Sequence, residues 1–244
     1  MEWTDEALVL GARKHGENSV ILEVMTHHHG RHLGLVRNGR SRKFQAALQP
    51  GNSVTVTWRA RLEDHLGQFS VELHKARAAV LMADPVSVYG VQFLAGLLRL
   101  LPERTREDGL YLAASAIVET FEEPLLAAGL LVRLELAVLE ELGFGLDLES
   151  CAATGGTQEL VYVSPKSGRA VSRKAGLPYH DKLLTLPRFL VSSLPRETPD
   201  AGEVFDGFRL AGFFYDRHIW GARGIQPPGE RDGFITALKK QMSG

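Results

Sequence analysis

The chain has 244 residues, of which 44% are hydrophobic and 23% are charged, with a formal net charge of -1. This length and composition allow a sizeable buried core and are typical of an ordinary soluble protein of two modest domains. The single cysteine, Cys151, excludes an intrachain disulfide framework and a multi-cysteine metal cage. The first residues are acidic where a signal peptide needs a basic region, and no apolar segment is long enough to span a bilayer. We therefore expect a cytoplasmic protein with no membrane contact.

Residues 1–80 contain five short strand-like segments, rich in β-branched and aromatic residues and separated by turn sequences. In chain order they are LVLGAR, SVILEVMT, RHLGLVR, SVTVTWRA and QFSVELH. Alternation is clearest in the fourth, where Val54, Val56 and Trp58 share one face. Five strands in about seventy residues, with RSRKFQAALQ inserted between the third and the fourth, predict a five-stranded barrel of the OB-fold type.

Beyond Asp84 the period becomes helical, and residues 81–244 predict a mainly α-helical domain. One helix is expected from Pro85, a second in REDGLYLAASAIVETFEE, and a third in PLLAAGLLVRLELAVLEELGFG that stops at Gly143. A turn-rich insert at about 147–176 has a short hairpin through LVYVS and GRAVS. Two or three helices complete the chain, around HDKLLTLPRFLVSSL, EVFDGFRLAGFFYDRHIWG and ERDGFITALKK. The predicted fold class is therefore α+β.

The small net charge hides an uneven distribution of charged side chains. From Val24 to Leu62 the sequence has no Asp or Glu. The same window carries the cations Arg31, Arg37, Arg40, Arg42, Lys43, Arg59 and Arg61. Lys and Arg side chains bind phosphates, so a cationic tract of this length without an acid predicts a surface for an anionic polymer. Trp58, Phe69 and Phe44 are candidates for stacking on bases, but the apolar strand faces favour Trp58 and Phe69 as barrel interior.

Four histidines, His27, His28, His29 and His32, raise the alternative of a metal site. His27 and His29 would share a strand face, whereas the spacing of His28 and His32 suits a helix. The sequence has no HExxH motif, and no carboxylate lies nearby in sequence to orient an imidazole. It also lacks a GxSxG elbow, a GK[ST] phosphate loop and GxGxxG. These observations favour a binding protein without catalytic residues or cofactor over a hydrolase with His27, His29 and His32 as metal ligands.

The order of these pieces resembles the RecO family of bacterial DNA repair and recombination mediators. The resemblance rests on the G-E-N-S turn, the T-x-x-x-G hairpin, the basic NGRSRK stretch and the L-Q-P-G entry to the fourth strand. It continues through LLVRLELAVLEELGFGLDLESCAATG and YVSPKSGRAVSRKAG, and so covers most of the chain. It implies an N-terminal OB-fold and a mainly helical C-terminal domain with a small zinc-finger-like insert.

Members of that family bind single- and double-stranded DNA, anneal complementary strands and act with RecR to load RecA onto DNA covered by single-strand-binding protein. The resemblance therefore implies a non-enzymatic, nucleoid-associated mediator that holds DNA on the seven cations and engages RecA indirectly. An RNA-binding OB-fold module remains an alternative at this point, because a contact to a 2'-hydroxyl leaves no readable signature in the sequence.

In some relatives the insert carries two C-x-x-C pairs. The matching positions here look like Cys151, Thr154, Ser172 and Ala175, so three of the four thiols are absent. One thiolate cannot hold a structural zinc ion. We therefore expect the insert to keep its shape through its hairpin and packing, without metal.

The resemblance also implies that the helical domain binds the acidic, Phe-ended C-terminal tail of single-strand-binding protein, at an apolar pocket beside a basic residue. The best match is Arg133, flanked by Leu134, Leu136 and Val138. A guanidinium can bind the terminal carboxylate while an apolar groove holds the phenyl ring. The alternative is that Arg133 forms an ion pair with a glutamate on its own helix face.

Overall fold

The computed structural model of the chain describes residues 1–191, 198–224 and 226–243, with the side chains of all of these except Lys43 and Arg223. The chain divides into two compact units. The first comprises residues 1–122 together with the C-terminal stretch from Gly229, and the second comprises residues 123–228. Within the described ranges, none of the helices combines the length and the apolar character that a membrane-spanning segment requires.

The chain begins with strands and continues mainly with helices, as the sequence predicts. The strands are β1 (Glu2–His15), β2 (Ser19–Thr26), β3 (Arg31–Val36), β4 (Ser53–Arg59), β5 (Gln68–Lys75), β6 (Leu160–Val163), β7 (Ala170–Ser172) and β8 (Leu184–Thr185). The α-helices of the described chain are α1 (Arg42–Ala47), α2 (Ala78–Leu81), α3 (Pro85–Leu98), α4 (Asp108–Val118), α5 (Pro124–Glu141), α6 (Arg173–Gly176), α7 (Ala201–Tyr215), α8 (Gly221–Arg223) and α9 (Gly229–Met242). A π-helical turn, Asp216–Trp220, joins α7 to α8.

Strands β1 to β5 form a closed barrel in the order β1-β2-β3-β5-β4. Neighbouring strands are antiparallel except β3 and β5, which meet in parallel at Leu35 and Gln68. The long strand β1 pairs with β4 through its first half and with β2 through its second, and a bulge between Val9 and Gly11 bends it between the two. The predicted α+β fold with a five-stranded OB-type barrel is confirmed, and α1 occupies the predicted insertion between β3 and β4.

Alternate residues of the strands fill the barrel interior. Val54, Val56 and Trp58 are each at most 1% exposed, as the sequence alternation predicts. Phe69 packs in the same core, and the indole N–H of Trp58 donates to a backbone carbonyl of the β4–β5 loop at 3.0 Å. This bond satisfies the one polar group of the buried indole. The interpretation of Trp58 and Phe69 as barrel interior is confirmed, while Phe44 on α1 is half-buried against the same core.

Helices α2, α3, α4 and α9 belong to the same unit as the barrel and its inserted helix α1. Helix α3 begins at Pro85, and the carboxylate of Asp84 caps it by accepting the backbone N–H of Ser87 at 2.8 Å. Helix α9 packs against α3 and buries Phe234 and Leu238 completely. The predicted boundary at residue 80 thus marks the end of the barrel, whereas the compact units divide at residue 122. The difference arises because α3 and α4 contact β1 and so belong with the barrel, while α9 packs against α3 and joins the same unit.

Helices α5 and α7 pack against each other in the second unit. Termination of α5 follows the prediction, because Gly143 adopts a left-handed φ of 85° and the N–H of Phe144 returns to the carbonyl of Leu139 at 2.8 Å. Helix α7 begins with a capping box formed by Asp200 and Glu203. Local capping chemistry therefore sets the ends of both helices.

The turn-rich insert contains the predicted hairpin, in which β6 and β7 pair antiparallel, and β8 adds a third strand beside β6. This third strand corrects one prediction, since HDKLLTLPRFLVSSL is not α-helical within the described residues. Its backbone is extended at Leu183 and Pro187, with short 3-10 helices at Leu177–Lys182 and Arg188–Leu190. Pairing with β6, and the extended backbone that a residue before proline prefers, outweigh the helical pattern. Residues 192–194 of that segment lie outside the described residues.

Candidate nucleic-acid interface

One end of the barrel gathers cations from two segments that are remote in sequence. The strand register pairs Lys14 with Val20 and Val20 with Val36, so the end of β1 and the end of β3 flank the start of β2. Two strand spacings, about 10 Å, separate them. The exposed cations that follow from this register are named the cationic rim, and they are Arg13, Lys14, Arg37, Arg40 and Arg42.

Arg40 fastens the loop between β3 and α1 to the turn between β1 and β2. Its guanidinium donates to the carbonyl of Glu17, and its backbone N–H donates to the carbonyl of Asn18 at 3.3 Å. Within the described part of the chain, neither Arg37 nor Arg42 has an ion pair. The guanidinium groups of these two residues are therefore free to bind an anionic ligand.

Arg59 at the end of β4 and Arg61 just after it are partly neutralised. Gln68 pairs with Leu35 on one side and with Arg59 on the other, which brings the ends of β3 and β4 together. Arg59 binds the carboxylate of Glu2 at 2.7 Å, and both side chains are exposed. Arg61 is exposed and is followed by two acidic residues in the β4–β5 loop. These two cations thus contribute less positive potential than the sequence window predicts.

The side chain of Arg31 is bound by other residues of the first unit. Its side chain is 12% exposed, it binds Glu23 at 2.8 Å, and it donates to the carbonyl of Leu101 at 3.2 Å and 3.3 Å. Glu23 also binds Arg99 at 2.8 Å. Arg31 therefore holds the barrel to the segment after α3, and it is not placed to bind phosphate. The side chain of Lys43, on α1, lies outside the described residues.

Asp5 on β1 binds the histidine turn that connects β2 to β3. One carboxylate oxygen lies 3.0 Å from Nδ1 of His28, and the other lies 3.1 Å from Nδ1 of His29 and accepts the backbone N–H of His28 at 2.7 Å. Burial raises the pKa of the Asp5 carboxyl, but these hydrogen bonds outweigh burial and hold the pKa below its ordinary value. The orienting carboxylate that is missing from the neighbouring sequence is therefore supplied by a different strand.

The three histidines of the metal-site alternative do not converge on one point. His27 stacks on Tyr111 with ring centroids 4.9 Å apart, and His29 stacks on Trp3 at 4.0 Å. His32 is 3% exposed inside the barrel, where burial lowers its pKa to about 4. Across the described residues, no group of three or more His, Cys, Asp or Glu side chains could hold a metal ion. The geometry thus gives no support to a His-ligated hydrolase.

Two family models match the chain and together cover most of its length. Recombination protein O N terminal matches residues 1–77, and Recombination protein O C terminal matches residues 82–223. The chain belongs to the RecO family.

Curated RecO relatives resemble the chain over nearly their full length. The DNA repair protein RecO of Mesorhizobium japonicum is 57% identical over 240 residues, which cover 98% of this chain and 94% of the relative. The protein of the same name in Sinorhizobium medicae is 54% identical over 242 residues, which cover 99% of this chain and 96% of the relative. The protein of the same name in Brucella abortus is 51% identical over 243 residues, which cover 100% of this chain and 98% of the relative. The RecO relationship therefore extends through the barrel, the helices and the insert.

In the insert, Thr154 and Ser172, two of the three positions that lack a thiol, hydrogen-bond to the sulfur atom of Cys151. The backbone N–H of Ser172 donates to Sγ of Cys151 at 3.3 Å, the Ser172 hydroxyl lies 3.5 Å away, and the Thr154 hydroxyl and the Ala153 N–H bond to the same sulfur. Burial raises the pKa of the thiol, but these donors outweigh it and lower the pKa to about 6. Ala175 offers no ligand atom. One sulfur, two hydroxyls and a methyl group do not fit a tetrahedral zinc site.

Arg133 is exposed on α5 and contacts Phe189, a partner that neither interpretation of the sequence predicts. It donates to the carbonyl of Phe189, and its guanidinium carbon lies 5.8 Å from the centre of the Phe189 ring. Leu134 and Val138 are 2% and 0% exposed. They cannot line a surface groove, because their positions on α5 point into the core of the second unit. Leu136 is partly exposed and remains beside Arg133.

Arg13, Lys14 and Asp5 are not among the site residues predicted from the sequence. A signal for the two cations was present, because they directly precede the G-E-N-S turn and a hairpin places such residues beside the next strand. No local signal could have found Asp5, since its partners lie 23 and 24 residues away.

Proposed function

We propose that this RecO family member is a DNA-binding recombination mediator that holds the phosphate backbone of single- and double-stranded DNA on the cationic rim. The observation that carries the proposal is the rim itself, in which Arg37 and Arg42 are exposed and, within the described residues, have no ion pair. Arginine forks bind phosphate oxygens in two-point contacts and do so without reading sequence. The curated relatives are named DNA repair proteins, and these names support the same role.

The finer steps of the proposal concern strands and partners. Neutralising part of the backbone charge lets two complementary strands approach, so the protein anneals them. With RecR, it helps to load RecA onto DNA coated by single-strand-binding protein, working in the cytoplasm at the nucleoid. None of these steps needs covalent chemistry, and the proposal assigns no catalytic residue and no cofactor.

Docking on single-strand-binding protein is proposed to use Arg133 and Leu136. The guanidinium of Arg133 binds the terminal carboxylate of the acidic tail, and Leu136 contacts the terminal phenyl group. Stacking of Arg133 on Phe189 orients the guanidinium before the tail arrives.

Affinity for a single strand, measured against salt concentration, tests the proposal. If all five rim cations contact phosphates, the slope of log affinity against log salt is about -3.5, because each phosphate contributes about -0.7. The double variant Arg37→Glu with Arg42→Glu should bind more weakly and lower the slope to about -2.1. Lys166→Glu with Lys174→Glu changes the net charge equally in the insert and should leave both values unchanged. A flat salt curve for the unmodified protein would contradict the proposal, and the same titration with RNA separates it from an RNA-binding module.

A further inference from the structure

Two columns of rings run from the interior of the first unit to its surface, with all neighbouring rings stacked except His27 and His28, which are tilted by 34°. In the first, Tyr111 is 6% exposed, His27 stacks on it at 4.9 Å, and His28 lies over His27 at 4.1 Å. His28 is the outermost ring, and its side chain is 50% exposed. The column therefore ends in an imidazole with a surface that faces solvent.

The second column also leads from a buried ring to an exposed imidazole, and its rings are stacked throughout. Trp58 is 1% exposed, Trp3 stacks on it at 5.7 Å, and His29 stacks on Trp3 at 4.0 Å with the two ring planes within 6°. His29 is the outermost ring, with its side chain 35% exposed. The pair of outer imidazoles, His28 and His29, is named the histidine platform.

Asp5 holds both imidazoles of the histidine platform in place. Its carboxylate is ionised at neutral pH and accepts hydrogen bonds, so Nδ1 carries the proton in both rings. The Asp5 side chain is only 4% exposed, so these bonds are shielded from water. The two rings are thus fixed in orientation before any ligand binds, which reduces the entropy lost on binding.

The surroundings of the platform favour a flat, neutral ligand over phosphate. Arg106, just before the start of α4, is paired with Asp108 at 2.6 Å, which cancels its charge locally. The guanidinium of Arg104 lies 5.9 Å from the centre of the Trp58 ring and donates to the backbone carbonyls of Glu63 and His65. Imidazole faces stack on nucleobases, and the unpaired bases of single strands expose the faces that a duplex conceals. A base can therefore extend each ring column by one further layer.

We propose that the histidine platform is a stacking site for unpaired bases of single-stranded DNA, with one base on His28 and one on His29. The inference rests on the proposed DNA-binding function and adds a second contact area to it. The platform lies at the end of β2 opposite to the cationic rim, roughly 20 Å away along the strand. The rim holds the backbone, and the platform distinguishes single strands from duplex.

The test compares a thymidine strand of about 16 nucleotides, the upper site size of an OB-fold, with an abasic strand of equal length and charge. The unmodified protein should bind the thymidine strand about fivefold or more tightly. His28→Ala with His29→Ala should abolish this preference, leave duplex binding unchanged and leave the salt slope unchanged. His28→Phe with His29→Phe keeps the ring faces and should retain the preference, and His15→Ala with His74→Ala is the matched control at exposed histidines.

Each outcome decides one question. Equal affinity of the unmodified protein for the two strands overturns the platform, and so does loss of the preference in the Phe variant when circular dichroism shows it folded. If the Ala variant does not fold, the abasic comparison and the Phe variant still decide. If the unmodified protein binds neither strand, the proposed DNA-binding function itself fails. If it binds both strands with a steep salt dependence but no base preference, only the platform is overturned.

Discussion

The imidazole of His32 packs edge-on against the indole of Trp58, with ring centroids 5.1 Å apart and an interplanar angle of 64°. In this position His32 is 3% exposed, and burial lowers its pKa from 6.5 to about 4. The folded protein therefore keeps His32 neutral at pH values at which the unfolded chain protonates it.

This difference predicts a loss of stability in acid. Between about pH 6.5 and pH 4 the unfolded chain binds more protons than the folded chain, so the free energy of unfolding falls as pH falls through this window. The loss from this residue is up to about 3 kcal/mol. Urea unfolding at pH 7, 6 and 5 measures it, and His32→Phe should flatten the dependence while His74→Phe leaves it. An unaltered dependence in His32→Phe would contradict the prediction.

Asp5→Asn should destabilise the first unit. An amide has one acceptor oxygen where the carboxylate has two, so at least one of the imidazole N–H groups of His28 and His29 loses its partner. We expect the free energy of unfolding to fall by about 1–3 kcal/mol, measured by urea unfolding at pH 7. Asp64→Asn is the matched control, since Asp64 is exposed, and equal stability of the two variants would show that the Asp5 bonds contribute nothing.

Substitution of Arg31 should lower stability and leave the DNA salt slope unchanged, whereas substitution of Arg13 and Lys14 should lower the slope and leave stability nearly unchanged. Arg31→Gln breaks a mostly buried ion pair with Glu23 and should lower the free energy of unfolding by about 2 kcal/mol, with the DNA salt slope unchanged. Arg13→Glu with Lys14→Glu should leave stability nearly unchanged and lower the slope by about 1.4. Urea unfolding and DNA titration on both variants check this, and a smaller salt slope in Arg31→Gln would place Arg31 at the DNA.

The insert should hold no zinc, because three of the four positions lack a thiol. Elemental analysis of the purified protein is expected to find far less than one zinc per chain, and a chelator should leave strand annealing unaffected. The absorbance of the Cys151 thiolate should appear with a midpoint at about pH 6, where an ordinary thiol requires about pH 9. Stoichiometric zinc that survives the chelator would overturn this account of the insert.

Arg133→Ala should weaken binding of an acidic, Phe-ended tail peptide about tenfold, the loss expected for one charge-assisted hydrogen bond. Arg209→Ala on α7 is the matched control, because Arg209 is 72% exposed and binds Asp206 on its own helix. Fluorescence anisotropy of a labelled peptide provides the affinity. Unchanged affinity in Arg133→Ala would remove Arg133 from the docking site.

The stretch from Val24 to Leu62, which has no Asp or Glu, predicted only part of the exposed cationic surface correctly. It correctly located an exposed cationic segment in Arg37, Arg40 and Arg42. It also counted Arg31 and Arg59, which bind Glu23 and Glu2. Both acids lie outside the window in sequence, and the strand pairing and the packing of the barrel bring them to their partners.

The sequence was enough to predict most of the elements and their buried faces, because side chains alternate along a strand and recur every three to four residues along a helix. That periodicity suffices for the barrel, for Trp58 in its interior and for α5 and its end at Gly143. Three features became visible only in the folded protein: the place of α9 in the first unit, the strand at Leu184–Thr185 and the binding of two histidines by Asp5. Each of these depends on a partner far away in the chain, and such pairings leave no periodic signal in the sequence around them.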